Sequence, residues 1–169
     1  ITFHGAAQTV TGSKHLLQLK NGKKVLLDCG LFQGMGDKTL ELNQEFGFDA
    51  SELNAVILSH AHIDHTGLLP KLVKEGFTGK IYCTPATADL AEVLLLDSAF
   101  IQESDVAFVN KRRAAQGLPC IQPLYSVADA NKVFPHFIEV PYNEVKHLDE
   151  NISFHYTDTG HILGSAAIH

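Results

Sequence analysis

The sequence is poor in cysteine, in long apolar stretches and in positive charge. Its three cysteines, Cys29, Cys83 and Cys120, are widely spaced and form no CxxC pair, which indicates reduced thiols rather than a disulfide framework. No apolar run reaches the roughly 18 residues that a membrane span needs, and the first residues lack the basic flank of a signal peptide. We therefore expect a cytoplasmic protein with no membrane partner.

The charge balance leaves the class of partner open. With 13 basic and 19 acidic residues, the formal net charge is −6, which gives no overall electrostatic reason to expect nucleic acid. A local patch or a bound metal can attract a polyanion whatever the total, so RNA is neither supported nor excluded. A hydrophobic content of 45% over 169 residues suffices for one ordinary core, and we expect one domain.

The hydrophobic period alternates between about 2 and about 3.6 residues, which predicts an α/β fold. Residues 55–59 form a short apolar strand, as expected in a sheet that is buried on both faces. Asn21-Gly22 predicts a type I′ hairpin turn, and Thr84-Pro85 predicts the start of a long helix. The other predicted strands are residues 14–19, 24–28 and 80–84, with more between 137 and 156, and the predicted helices are residues 67–75, 85 to about 110, and 126–134.

The last four residues, Ala166-Ala167-Ile168-His169, are strand-like, and no turn or cap follows them. A strand is rarely the last element of a fold unless another strand pairs with it or polar residues end it. We therefore expect residues 1–169 to be the front part of a larger protein.

An HxHxDH segment that begins at His60 concentrates imidazole and carboxylate groups directly after the apolar strand. Side chains at i and i+2 of an extended segment point the same way, so His60 and His62 can share one metal ion. A turn at Ile63 would let Asp64 and His65 face a second ion. Imidazole and carboxylate ligands without thiolate suit zinc used for hydrolysis better than structural zinc. The alternative, a loop of surface histidines, explains a lone histidine well but a cluster of this kind poorly.

HxHxDH after a short apolar strand resembles the metallo-β-lactamase superfamily. Over essentially its whole length, the sequence further resembles the β-CASP RNA-processing nucleases of that superfamily. HxHxDH alone identifies the superfamily, whereas its combination with LDCGLFQG and GHxLGSA is specific to this branch. The segments that carry the resemblance are Gly5-Ala6-Ala7, Val10-Thr11-Gly12-Ser13, Leu27-Asp28-Cys29-Gly30-Leu31-Phe32-Gln33-Gly34 and Gly160-His161-Ile162-Leu163-Gly164-Ser165-Ala166.

The resemblance implies a four-layer αββα sandwich of which residues 1–169 are the N-terminal part. The rest of that domain and an inserted β-CASP domain that clamps the nucleic acid are expected beyond residue 169. The implied activity is zinc-dependent hydrolysis of phosphodiester bonds in RNA, during RNA processing or decay, with two zinc ions in the full-length enzyme. The implied partner is single-stranded RNA, and a homo-oligomer is left open.

The resemblance also implies roles for individual residues. Asp64 would hold a metal ion and steer the attacking water as a catalytic residue, and Asp28 would hydrogen-bond to the metal-site network and orient a ligand. His161 is assigned by the resemblance, because a single histidine before an apolar run is by itself more often structural. The implied metal ligands are His60, His62 and His161 for the first ion, and Asp64 and His65 for the second.

Other functions use the same motif. A small-molecule hydrolase, such as a thiolesterase or a lactamase, shares HxHxDH, and the resemblance in residues 27–34 and 160–166 is what separates it from a nuclease. A catalytically silent RNA-binding subunit would have lost metal ligands, and the intact HxHxDH segment argues against it. A flavodiiron oxidoreductase is disfavoured because that branch usually has Glu where His62 stands.

Overall fold

The structure is a computed structural model that describes residues 1–34, 36 and 38–169. Within these residues, none of the helices combines the length and the apolar character needed to cross a bilayer. The strands are β1 Thr2–Gly5, β2 Lys14–Gln18, β3 Lys24–Leu27, β4 Ala55–Ile57, β5 Lys80–Cys83, β6 Phe137–Glu139, β7 Lys146–Asp149, β8 Ile152–Phe154, β9 Tyr156–Asp158 and β10 Ala166–Ile168. The α-helices are α1 Lys38–Gln44, α2 Ile63–Thr66, α3 Leu69–Lys74, α4 Pro85–Ala115 and α5 Val127–Asn131.

Six strands form one mixed sheet in the order β1, β2, β3, β4, β5, β6. The first three are antiparallel neighbours, and β3 to β6 run parallel. All residues of the interior strand β4 are buried, as predicted for a strand that is covered on both faces. Because parallel strands end at the same edge of a sheet, the residues that follow β3, β4 and β5 lie side by side there.

The main sheet separates two hydrophobic clusters. Leu26 and Val56 face the cluster on the helical side, whereas Val25 and Ile57 face the opposite cluster, as the alternation of a strand requires. Residues of α3, α4 and α5 complete the first cluster, and residues of β8, β9 and β10 complete the second. The described residues therefore supply a helical layer, the main sheet and, opposite the helices, the two-stranded sheets β7–β8 and β9–β10. These correspond to three of the four layers of the predicted αββα sandwich.

The hairpin between β2 and β3 differs from the prediction. Gly22 has a φ of +84°, but Asn21 does not share the positive φ that a type I′ turn requires at both positions. The Gly22 N–H donates to the Leu19 carbonyl at 3.0 Å, and the Leu19 N–H donates to the Lys23 carbonyl at 2.8 Å. The connection is thus a three-residue loop with glycine in the left-handed position, and the type I′ prediction is wrong.

The segment after HxHxDH also begins differently from the prediction. The turn expected at Ile63 is the first residue of α2, and the helix predicted for residues 67–75 is α3 alone. The Thr66 hydroxyl donates to the carbonyls of Ala61 and His62 at 3.0 and 3.1 Å, and Gly67 donates its N–H to the Ile63 carbonyl at 2.7 Å. These bonds close a single helical turn, so the last two residues of HxHxDH lie on a helix.

The end of the chain pairs within the fold. β10 is antiparallel to β9, and the Ala166 N–H donates to the Ser59 carbonyl at 2.8 Å. Among the described residues, β10 thus pairs on one edge with β9, and no strand pairs with its other edge. This pairing brings the loop between β9 and β10 to the edge of the main sheet, where β4 ends.

Candidate metal centre

Three imidazoles meet at the carboxyl edge of the main sheet. His60 and His62 follow β4, and His161 lies in the loop between β9 and β10. One ligand atom from each residue lies within 4.8 Å of the others, and His60 Nε2 is 3.0 Å from His62 Nδ1. The pKa of His60 is lowered to about 4, mainly by burial and secondly by the nearby imidazole of His65. The His60 ring is therefore neutral at neutral pH. Three imidazole nitrogens at this spacing fit a zinc ion with one open position.

A second pair of ligand atoms lies beside this cluster. The His65 ring centroid is 4.0 Å from that of His60, and Asp64 Oδ2 is 3.7 Å from His65 Nε2. Both residues lie on the single turn of α2. The structure thus places Asp64 and His65, the residues predicted for a second ion, together next to the three-imidazole cluster.

Asp28 holds His65 in place by a hydrogen bond. Its buried carboxylate accepts a hydrogen bond from His65 Nδ1 at 2.7 Å, which leaves Nε2 on the side of Asp64. Burial lowers the pKa of His65, but the hydrogen bond and charge of Asp28, together with the charge of Asp64, outweigh it and raise that pKa. Asp28 itself has a φ of +58°, a left-handed conformation that Asp tolerates better than most residues. Its position supports the predicted role of orienting a ligand.

Two serine hydroxyls that the sequence reasoning missed also reach Asp28. The Ser59 hydroxyl lies 3.0 and 2.9 Å from the two carboxylate oxygens, and the Ser13 hydroxyl donates to Oδ2 at 3.2 Å. Ser59 directly precedes His60, so its position at the end of a buried strand was the available signal. Ser13 lies in a segment that carried the family resemblance, but its sequence gives no distance to Asp28.

The loop that carries His161 is held by hydroxyls of its own and of α4. Ser165 Oγ accepts the N–H of His161 at 3.1 Å, and the Gly164 carbonyl accepts the hydroxyls of Thr84 and Thr87 at 2.7 and 2.9 Å. Gly164 has a φ of +82°, and a Cβ there would lie 2.6 Å from the Thr87 nitrogen. The start of α4 therefore fixes the third imidazole, a role that the local sequence did not reveal.

A family model described as the metallo-beta-lactamase superfamily matches residues 13–150. The chain belongs to this superfamily. Solved structures of this superfamily agree with the fold of the chain. A metallo-beta-lactamase from Cronobacter sakazakii has a TM-score of 0.54 at 17% identity, covering 98% of this chain and 50% of that one. The soil-metagenome enzyme MEM-A1 of subclass B3 has a TM-score of 0.52 at 18% identity, covering 94% of this chain and 50% of that one.

Curated relatives are more similar in sequence. Ribonuclease TTHA0252 of Thermus thermophilus is 38% identical over 164 residues, which are 97% of this chain and 33% of that protein. The transcription termination factor FttA of Methanosarcina mazei is 35% identical over 170 residues, which are 100% of this chain and 24% of that protein. The chain thus spans about a quarter to a third of the length of these relatives. The predicted fold and the resemblance to the β-CASP branch of the superfamily are confirmed.

We expect residues 1–169 to bind one zinc ion more tightly than a second, because three ligands converge on one position but only Asp64 and His65 lie at the other. His62→Ala should remove the tight ion, since it deletes one of three imidazoles. Competition with a chelator of known affinity, followed by metal analysis, measures both ions. His147→Ala is the matched control, because His147 is exposed on β7. Two ions of equal affinity, or unchanged binding by His62→Ala, would contradict this expectation.

Proposed function

We propose that this chain is the N-terminal part of a β-CASP-type ribonuclease that hydrolyses phosphodiester bonds of single-stranded RNA with two zinc ions. The main observation in support of this proposal is the three-imidazole cluster beside Asp64 and His65. The 38% identity to a protein named a ribonuclease supports RNA as the substrate. The metallo-β-lactamase structures, at 17% and 18% identity, bear on the fold alone and do not favour a β-lactam or another small molecule.

Different residues would hold the two zinc ions. His60, His62 and His161 would hold one zinc ion, and Asp64 and His65 would hold part of the second. When bound, the two ions would supply a water of lowered pKa and would neutralise charge that develops on the phosphate.

The other groups in the site position ligands and water. The carboxylate of Asp64 accepts a proton or a hydrogen bond at its oxygen atoms, so it can orient the attacking water. Asp28 keeps the proton of His65 on Nδ1 and so leaves Nε2 free. The catalytic assignment of Asp64 and the orienting role of Asp28 are parts of this proposal.

The whole protein would extend beyond residue 169. We place there the remaining ligands of the second ion, the rest of the αββα domain and a β-CASP domain that clamps the RNA. The shares of 33% and 24% that this chain covers in its relatives leave room for them. The proposal includes a cytoplasmic location, and it does not depend on assembly with a second copy.

RNA cleavage tests the proposal. A labelled single-stranded RNA is incubated with the full-length protein and with residues 1–169, each with zinc and with a chelator, and a β-lactam and a thioester are tested in parallel. We expect chelator-sensitive RNA cleavage by the full-length protein, and cleavage by residues 1–169 that is slower by about 100-fold or more, because misplacement of about 1 Å already costs that much. Cleavage by residues 1–169 at a rate near that of the whole protein would refute the incomplete second site. Turnover of a small molecule without RNA cleavage would refute the nuclease.

A further inference from the structure

The hydroxyl of Ser59 lies between the two halves of the metal centre. Its oxygen is 3.0 Å from His60 Nδ1 and 3.3 Å from His65 Nδ1. It is also 3.0 and 2.9 Å from Oδ1 and Oδ2 of Asp28. One small side chain therefore contacts an imidazole from each half of the site and the carboxylate between them.

The donors and acceptors available determine the direction of these hydrogen bonds. An ionised carboxylate accepts only, so the single proton of the Ser59 hydroxyl points to Asp28. The lone pairs of the hydroxyl then face His60 Nδ1, which must donate. His65 Nδ1 likewise donates to Asp28 Oδ2 at 2.7 Å. Both imidazoles thus carry their proton on Nδ1 and present the lone pair of Nε2.

The Nε2 lone pairs of His60 and His65 point toward the two proposed metal positions. His60 Nε2 lies 3.0 Å from His62 Nδ1, inside the three-imidazole cluster, and His65 Nε2 lies 3.7 Å from Asp64 Oδ2. Asp28 contacts His65 directly, but its contact with His60 passes through the Ser59 hydroxyl. Ser59 is therefore what extends the control of tautomer from the second half of the site to the first.

We propose that Ser59 is a positioning residue that holds His60 as the Nδ1–H tautomer and thereby couples the two metal positions through Asp28. The proposal rests on the metal centre of the proposed function but not on its RNA substrate. It distinguishes Ser59 from Ser13, whose hydroxyl donates to Asp28 at 3.2 Å and otherwise lies 3.4 Å from His15 Nε2. Ser13→Ala is thus a matched control that removes a donor to Asp28 without touching His60.

The backbone makes Ser59→Ala a clean substitution. The Ser59 N–H donates to Asp28 Oδ1 at 2.8 Å, and the Ser59 carbonyl accepts the Ala166 N–H at 2.8 Å. Both bonds remain when the side chain is shortened. Ser59→Ala therefore deletes the hydroxyl while Asp28 and β10 keep their backbone anchors, and Ser59→Thr restores the hydroxyl with one added methyl group.

The test has two readouts in the full-length protein labelled with ¹⁵N-histidine, and neither is activity. Ring ¹⁵N spectra of the metal-free protein report the tautomer of each histidine, and competition with a chelator reports zinc affinity at the tight site. We expect His60 in the wild type to be the Nδ1–H tautomer. Ser59→Ala should mix the tautomers and weaken tight-site binding about 10- to 100-fold, as loss of a group that orients a metal ligand typically does. Ser59→Thr should restore the wild-type tautomer and affinity, whereas Ser13→Ala should leave His60 as the Nδ1–H tautomer and lose less affinity than Ser59→Ala.

The outcomes separate this proposal from its alternatives. An Nε2–H tautomer of His60 in the wild type would overturn it, and that measurement needs no variant to fold. Unchanged tautomer and zinc affinity in Ser59→Ala would overturn it as well. An equal loss in Ser13→Ala would show that the hydroxyls act only by supporting Asp28, which also refutes a specific role for Ser59. A protein with the expected tautomer and affinities that fails to cleave RNA would refute the proposed function and leave the role of Ser59 standing.

Discussion

Asp28→Asn should weaken zinc binding, and with it activity, by about 10- to 100-fold. The carboxylate accepts hydrogen bonds from the Ser13 hydroxyl, from the Ser59 N–H and hydroxyl, and from His65 Nδ1. An amide offers one oxygen in place of two, and its NH₂ group would face one of these donors. His65 would lose both its partner and the charge that favours its Nδ1 proton. The largest loss should therefore fall on the second ion.

The melting temperature of Asp28→Asn should change little, because Asn has nearly the shape of Asp and also tolerates the φ of +58° at this position. Zinc titration and thermal unfolding of the same samples check the two parts of this expectation. Asp89→Asn on the exposed surface of α4 is the control for the change of charge. A large drop in melting temperature, with normal zinc binding per folded molecule, would show that Asp28 is only structural.

Gly30→Ala should disrupt the second half of the metal centre more than any change of similar size on the surface. A Cβ on Gly30 would lie 1.7 Å from the Asp64 carbonyl oxygen and 2.8 Å from the Ser13 nitrogen, and both are backbone atoms. The Ser13 N–H donates to that same Asp64 carbonyl at 2.8 Å, and Cys29 donates to the His65 carbonyl at 2.7 Å. The added methyl group can therefore enter only if α2 moves away from the sheet edge and carries its two ligands with it.

We expect Gly30→Ala to lower the free energy of unfolding by about 3 kcal/mol, at the upper end of the cost of overpacking a tight site. Zinc binding at the second position should be lost. Gly22→Ala is the control, because a Cβ there meets nothing within 4 Å although its φ of +84° is left-handed. That variant should show only backbone strain, about 1 kcal/mol, with normal zinc binding. Denaturant unfolding and zinc titration give both quantities, and matching results for the two variants would contradict the close approach of Gly30 to α2.

Local sequence was a good guide at several positions where the relevant contacts are local, although the equally local turn at Asn21-Gly22 was predicted wrongly. His60 and His62 share one direction because they are two residues apart after a buried strand, and the structure places their ring nitrogens 3.0 Å apart. The start of α4 was likewise predictable from Thr84 and Pro85, since a cap and a proline act within one turn. The apolar run of β4 predicted burial on both faces for the same reason.

Contacts between distant segments were not accessible in this way. His161 and Asp28 entered the site through the family resemblance, because a single histidine or an aspartate at the end of a strand serves a structural role as often or more often. The role of Ser59 depends on the distance between the ends of β3 and β4, which only the sheet register fixes. β1 was not predicted, and neither was the pairing of β10 with β9, because strand pairing depends on segments far apart in the chain.

A crystal structure of the zinc-loaded protein, with anomalous data collected on both sides of the zinc absorption edge, tests the central claim most directly. We expect a strong zinc peak bonded to His60 Nε2, His62 Nδ1 and a ring nitrogen of His161, at about 2.0–2.1 Å from each. We also expect a second zinc peak about 3.5–4 Å away, bonded to Asp64 and to His65 Nε2. A zinc peak elsewhere, or none at the three imidazoles in zinc-saturated crystals, would contradict the central claim.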